Sequence, residues 1–243
     1  MKKYCDAHCH FNFSDPQLSE FQCKTNQSIN TFICNATCED DWAQLVKITA
    51  GHKCMRACLG IHPWYVASAA SGWDVRLAEI LAENRDFMVG EIGLDKLHAD
   101  FDAQCDIFIR QMEIARELQR TVQIHCVHAW DEMLRIFKIQ KLPHAIVAHG
   151  FVGAPDLITQ IGRNANVYFS YSDKILNSQN VKLRHSVYQT PINKILVESD
   201  ATPNIAESVI PRIVAEIAKI KSVDDNEMAD IIYNNTMEMI KNG

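Results

Sequence analysis

The stretch Tyr4-Cys5-Asp6-Ala7-His8-Cys9-His10-Phe11 decides how the rest of the chain is read. It reads as an N-terminal β-strand. Strand side chains alternate between faces, so Asp6, His8 and His10 share one side. Two imidazoles on one face, where the strand should end, make half of a metal site. The other half has to come from elsewhere in the sequence.

Outward from this strand, the pattern alternates to the end. Strand-like runs follow at Ile29–Ala36, Met55–Ile61, Phe87–Leu94, Val122–Cys126, Ala145–His149, Asn166–Tyr171 and Ile195–Asp200. Helical stretches between and after them include Trp73–Arg85, Gln104–Gln119, Ala129–Gln140, Asp156–Gly162, Ile205–Ile220 and Asp225–Lys241. In the second of these, Phe108, Met112, Ala115 and Leu118 recur every three to four residues while Arg110, Glu113, Arg116 and Glu117 fall off that face. Eight strands alternating with helices predict an α/β fold of the (β/α)8 TIM-barrel type. The 243 residues match the roughly 250 typical of such a barrel. No Gly/Ser-rich linker, charge block or low-complexity segment divides the chain, so residues 1–243 are expected to form a single hydrolase domain. An open doubly wound sheet would more often carry a Gly-rich phosphate loop after its first strand; His8-Cys9-His10 stands there instead.

Barrel enzymes build their sites at the C-terminal ends of the strands. Those ends carry His8 and His10, then Gly60-Ile61-His62-Pro63-Trp64, Val89-Gly90-Glu91-Ile92-Gly93-Leu94-Asp95, Gln123-Ile124-His125, Ala148-His149-Gly150-Phe151 and Glu198-Ser199-Asp200. Alternation puts Val89 with Glu91, Gln123 with His125, and Glu198 with Asp200. A single buried histidine has a bland reading as a hydrogen-bonded core residue, and a single aspartate at a strand end as a helix cap. His52, His98, His144 and His185 take that reading. Taken together, His8, His10, His125, His149, Glu91 and Asp200 do not, because burying them side by side calls for a bound cation.

With these residues in view, the chain resembles the TatD family of metal-dependent hydrolases, a branch of the amidohydrolase-like barrels. The likeness runs nearly the whole length. It is carried by Asp6-Ala7-His8-Cys9-His10, Gly60-Ile61-His62-Pro63, Gly90-Glu91-Ile92-Gly93-Leu94-Asp95, His125, His149-Gly150-Phe151 and Glu198-Ser199-Asp200. The spacing of Gln104, Phe108, Gln111 and Ala115, and Asn235-Thr236 near the end, agree with it. The resemblance implies two divalent metal ions per chain. His8, His10 and Asp200 would hold one, His125 and His149 the other, with Glu91 bridging. The mixed ligands suit Zn, Mn or Ni, with Mg a further option; the sequence does not fix the metal. The implied reaction is attack of metal-activated water on a phosphoryl or acyl centre, Asp200 taking or relaying the proton. Asp6 and Glu198 are expected to orient imidazoles, and His62 to hold substrate phosphate at the mouth. The implied activity is that of a deoxyribonuclease trimming DNA from a 3′ end.

The substrate side departs from the family. Many members follow the strand-five histidine with Arg and an acidic residue, whereas Val127 and His128 stand here. Many continue the strand-eight aspartate with Pro-Tyr-Leu and a longer loop, whereas Ala201-Thr202-Pro203-Asn204 leads almost directly into a helix. A formal net charge of -6 argues against broad capture of a polyanion. The alternatives are a hydrolase of a small phosphoester, lactone or amide on the same dinuclear site, and a metal-binding protein without turnover. Nine cysteines, an odd number, some within strands and with no signal-peptide run before them, are expected to be reduced thiols in a cytoplasmic protein. The pairs Cys34/Cys38 and Cys54/Cys58 lack a zinc-ribbon pattern. No stretch is long enough to span a membrane. Exposed Trp64 and Tyr65 are candidates for a substrate rim or subunit contact, and Trp73 for core packing.

Overall fold

A computed structural model describes residues 2–11, 29–163 and 165–241. Its strands are β1 Tyr4–Cys9, β2 Ile29–Asn35, β3 Met55–Leu59, β4 Met88–Asp95, β5 Val122–Val127, β6 Ile146–Ala148, β7 Val167–Tyr171 and β8 Ile195–Val197. Each pairs in parallel with the next, in the order β1 to β8. The helices are α1 Glu39–Gly51, α2 Trp73–Glu83, α3 Phe101–Glu117, α4 Trp130–Ile139, α5 Pro155–Gly162, α6 Val181–Gln189, α7 Pro203–Lys221 and α8 Asp225–Lys241. The result is the (β/α)8 barrel expected from the sequence. Past the strands, Asp200 N donates to His8 O at 3.1 Å and His10 N to Ala201 O at 3.0 Å. These bonds draw the end of β8 onto the end of β1, beside the histidine pair.

Two apolar layers hold the barrel. Phe32, Leu59, Val89, Ile92, Ile124, Ala148, Phe169 and Val197 face outward into a layer shared with helix residues such as Leu77, Phe108, Met133 and Ile213. Ile33, Cys58, Met88, Val147, Tyr168 and Leu196, from six different strands, form a second cluster with Met239 of α8. That cluster fills the barrel interior. Above it the interior turns polar, with Asp6, His8, Asn35, Glu91, Gln123 and Glu198 all buried.

Several expectations shift by a few residues, two with consequences. β8 ends at Val197, so Glu198 and Asp200 belong to the loop beyond it, where Asp200 adopts a left-handed φ of 50°. The register of β4 against β5 slips between Val89 and Ile92. Val89 therefore packs outward while Glu91 joins the interior, and the shared face expected for them is broken. Helices α1 and α6, not read in advance, have ordinary signals. Glu39, Asp40 and Asp41 fill the first turn of α1 ahead of buried Trp42 and Leu45. Leu183 and Val187 form the buried face of α6.

Among the described residues seven cysteines are free, and Cys9 and Cys34 lie with sulfurs 3.5 Å apart. Cys54, half-buried in the turn just before β3, is disulfide-bonded, which corrects the expectation of uniformly reduced thiols. Among the described residues, no helix is long and apolar enough to cross a membrane, and the side-chain groups able to hold a metal contain histidine and glutamate but no cysteine. Trp73 packs against the core, as expected.

Gly93 sits where β4 meets His125. Its φ is +149°, and a Cβ there would lie 1.9 Å from His125 O. Gly93→Ala should therefore cost about 3 kcal/mol or more, since strained backbone and a backbone clash coincide. Gly51→Ala, with nothing within 4 Å of the new carbon, should leave the denaturant midpoint nearly unchanged. Comparing the two midpoints checks the placement of β4 against β5.

Candidate metal centre

Glu91 projects from β4 into the polar top of the barrel, and imidazoles from four other strand ends converge on it. Its two oxygens face different partners. Oε2 lies 3.5 Å from His8 Nε2 and 3.3 Å from His10 Nε2. Oε1 lies 2.8 Å from His149 Nε2, 3.0 Å from His125 Nδ1 and 3.4 Å from His62 Nε2. The rings are crowded: His8 stacks on His149 with centroids 3.8 Å apart, and His8 Nε2 lies 3.0 Å from His10 Nε2.

The far side of each ring fixes its tautomer, because a ring nitrogen facing an acceptor carries the proton. His8 Nδ1 faces Gln123 Oε1 at 3.3 Å, His10 Nδ1 faces Asn35 O at 3.1 Å and His149 Nδ1 faces Glu198 Oε1 at 3.5 Å. His125 Nε2 faces Asp95 Oδ2 at 3.5 Å. Neutral rings so held point four lone pairs at a buried carboxylate. That arrangement repels unless a cation lies between. His62 differs: its Nδ1 accepts from Trp64 N at 3.2 Å, leaving Nε2–H to donate to Glu91. The donor set thus fits divalent metal at His8, His10, His125, His149 and Glu91, and makes His62 a hydrogen-bond donor.

Protons relieve the same conflict, and the titration behaviour follows. Burial alone would push the Glu91 carboxyl up; the charge of His149 and the close approach of His10, His125 and His149 hold it well below the usual range. Burial opposes charge on His149, but Glu91 and Glu198 outweigh it and raise His149 well above the ordinary histidine value. Burial likewise opposes His10, and Glu91 with Asp200 raises it. Burial keeps His8 and His62 low.

The surrounding polar groups each have a place. Glu198 accepts from Gly150 N at 2.6 Å and holds His149. Burial would raise the Glu198 carboxyl, but His149, with help from His8 and Ser170, holds it below the usual range. Asp6 was expected to orient an imidazole. Its carboxylate instead accepts from Ser199 N at 2.9 Å and Ser199 Oγ at 2.6 Å, because that loop folds back over β1. Burial pushes Asp6 up to about 7 against those bonds. Asp200 stands off from the cluster, half-exposed, with Oδ1 3.7 Å from His10 Nε2.

Sequence reasoning gave no role to Gln123, Asn35 or Asp95. Gln123 shares its strand face with His125, and Asp95 stands four residues after Glu91 on the same strand, so alternation was the available signal. Two glutamines in α3 brace the strand ends. Gln111 Oε1 accepts from Ile61 N at 2.7 Å and its Nε2 donates to Ile61 O at 3.1 Å. Gln104 does the same for Asp95 N and O at 2.8 and 3.1 Å. His52 lies apart, bonded to Ile48 O at 2.8 Å. His98, also given the bland reading, stacks on Trp64 at the rim.

A cavity of about 370 Å³ opens above the centre, lined by His10, His62, Glu91, His125, His149 and Asp200 together with Trp64, Tyr65, Val127, Val152 and Lys174.

Residues 5–241 match a family model described as TatD related DNase. The chain is 28% identical to an uncharacterized metal-dependent hydrolase of Methanocaldococcus jannaschii, over 98% of this chain and 97% of that protein. It is 22% identical to the 3′-5′ ssDNA/RNA exonuclease TatD of Escherichia coli, over 78% of this chain and 74% of that one. The crystal structure of a TatD homolog from Escherichia coli superposes with a TM-score of 0.86 at 22% identity, covering 97% of both chains.

A cation entering this centre must displace protons from His10 and His149. Apparent metal affinity should therefore fall as pH drops through the raised histidine range, by up to roughly tenfold per pH unit for each proton displaced. Competition against a chromophoric chelator between about pH 6 and 8 measures it. His8→Ala should abolish the high-affinity phase and His52→Ala should leave it intact. A pH-independent affinity would contradict the protons placed on His10 and His149.

Proposed function

The chain belongs to the TatD related DNase family, and from that premise we propose that it is a metal-dependent nuclease cleaving phosphodiester bonds from the 3′ end of single-stranded nucleic acid. The observation that carries this reading is the division of Glu91, with His8 and His10 on one oxygen and His125 and His149 on the other. A carboxylate divided in this way suits a two-metal site. His8 and His10, approached by Asp200, would hold one ion and His125 and His149 the other, and Glu91 would serve both. When bound, such ions lower the pKa of water and polarise a phosphoryl oxygen.

The remaining work falls to side chains. Gln123, the Asn35 carbonyl, Glu198 and Asp95 fix the four rings, so the lone pairs need no rearrangement as charge develops. Asp200 Oδ1 takes the proton of the attacking water. Its half-exposed position lets it pass that proton to solvent, which Glu91, hemmed in by imidazoles, cannot do. His62 Nε2–H keeps the inner face of Glu91 oriented, a different role from the phosphate contact expected of it. We place the protein in the cytoplasm, where the thiols that are free among the described residues stay reduced.

A second reading rests on the cavity. Its volume of about 370 Å³ lies in the range of small-ligand pockets, and Val127 presents no cation to a phosphate. A small phosphoester or lactone would fit the same centre.

Protein loaded with Mn or Zn should shorten a single-stranded oligonucleotide from its 3′ end, with p-nitrophenyl phosphodiesters and lactones as competing substrates. Glu91→Gln should abolish shortening by removing the shared charge. Lactone turnover without any shortening would replace the nuclease with the small-ester hydrolase.

A further inference from the structure

Trp64 is 52% exposed and Tyr65 41% exposed, both on the turn Pro63–Ser68 after β3. An exposed tryptophan is ordinarily free to reorient, but this one is held. Its Nε1 donates to Asp95 Oδ2 at 2.7 Å, its ring stacks on His98 at 4.5 Å, and it meets His62 edge-on at 4.9 Å. Asp95 is itself buried, clamped by Gln104 and bonded to Leu97 N at 2.9 Å. The indole is therefore a rigid aromatic surface anchored from the centre side while half of it stays open. It lines the same cavity as Glu91 and His149. Lys174, exposed on the turn Asp173–Leu176 that follows β7, is the one Lys or Arg among the described residues lining that cavity.

We propose that Trp64 is a stacking platform for the base of the terminal nucleotide, with Lys174 neutralising the adjoining phosphate in the place that Val127 leaves uncharged. The proposal rests on the nuclease reading and adds to it the unit recognised: one nucleotide, held by its ring face. A platform of this kind is indifferent to sequence. The indole N–H is already committed to Asp95, so the ring offers a π-face and no hydrogen bond with which to distinguish bases. Because the ring is fixed before binding, stacking entails little loss of side-chain freedom.

Calorimetric titration of the metal-loaded protein with dAMP and with 2-deoxyribose 5-phosphate tests this. The two share sugar and phosphate and differ by the base. Wild type should bind dAMP at least about tenfold more tightly, the range expected of one stacked base, and dCMP within a few-fold of dAMP. Trp64→Ala should erase the preference. Trp64→Phe loses the same bond to Asp95 but keeps an aromatic face, so it should retain most of the preference, which separates stacking from disturbance of His125. Lys174→Ala should weaken both ligands alike, and in titrations with an oligonucleotide it should lower the slope of log affinity on log salt by about 0.7. Equal affinity of wild type for the two ligands, or a preference surviving in Trp64→Ala, overturns the platform. Oligonucleotide shortening in the same preparation reports the nuclease reading separately. Shortening without a base preference defeats only the platform. A base preference abolished by Trp64→Ala, without shortening, sustains the platform and defeats the nuclease.

Discussion

The ionised carboxylate of Glu91, buried at the top of the barrel, is the constraint on which the surrounding structure depends. An uncompensated charge in that position costs several kcal/mol. Here His8, His10, His62, His125 and His149 compensate it, drawn from β1, β3, β5 and β6 and the residues just past them. Ring pairs packed this tightly are unfavourable in themselves, and desolvation pulls each imidazole toward its neutral form. The cluster therefore needs positive charge among its lone pairs, whether as protons on His10 and His149 or as metal.

The barrel supplies this convergence because parallel strands end at one rim. Convergence alone would leave the rings free to rotate, and the outer contacts remove that freedom. Gln123 reaches His8 from the other side of the barrel while its own Nε2 donates to Ala7 O at 2.8 Å. The closing bonds from Asp200 N to His8 O and from His10 N to Ala201 O tie the first strand to the last. Asp6 contributes through the same seam by gripping Ser199. The polar residues of β1 thus divide the work: His8 and His10 face the centre, and Asp6 fastens the loop that carries Asp200.

What the sequence made legible follows from periodicity. All eight strands were readable, because buried parallel strands are short apolar runs bounded by polar ends, and the polar ends marked His8, His10, Glu91, His125 and His149. What stayed hidden depends on breaks in periodicity. The slip between Val89 and Ile92 turns Glu91 inward against the parity of its strand, and no residue type announces it. The left-handed turn at Asp200 moves that carboxylate to the edge of the cluster, where strand alternation would have placed it inside. His62 looked like a rim residue, yet the backbone of its neighbour Ile61 is clamped by Gln111 of α3, fifty residues along the chain. Such long-range clamps have no local signature.

Asp95 joins the two halves of the site. One of its oxygens accepts the Trp64 indole N–H and also faces His125 Nε2. Burial would raise this carboxyl, but the bonds from Trp64 and Leu97 and the nearness of His125 keep it below the usual range, so it remains a charged acceptor. A load on the exposed indole is therefore felt at a ring that points at Glu91. The rim and the centre share a rigid element, braced from behind by Gln104. In a site whose loop beyond β8 is short, the recognition proposed at Trp64 would rest on the β3 and β4 ends, where the backbone is already fixed. A substrate held by its ring face at Trp64 would meet the centre through side chains that do not have to move.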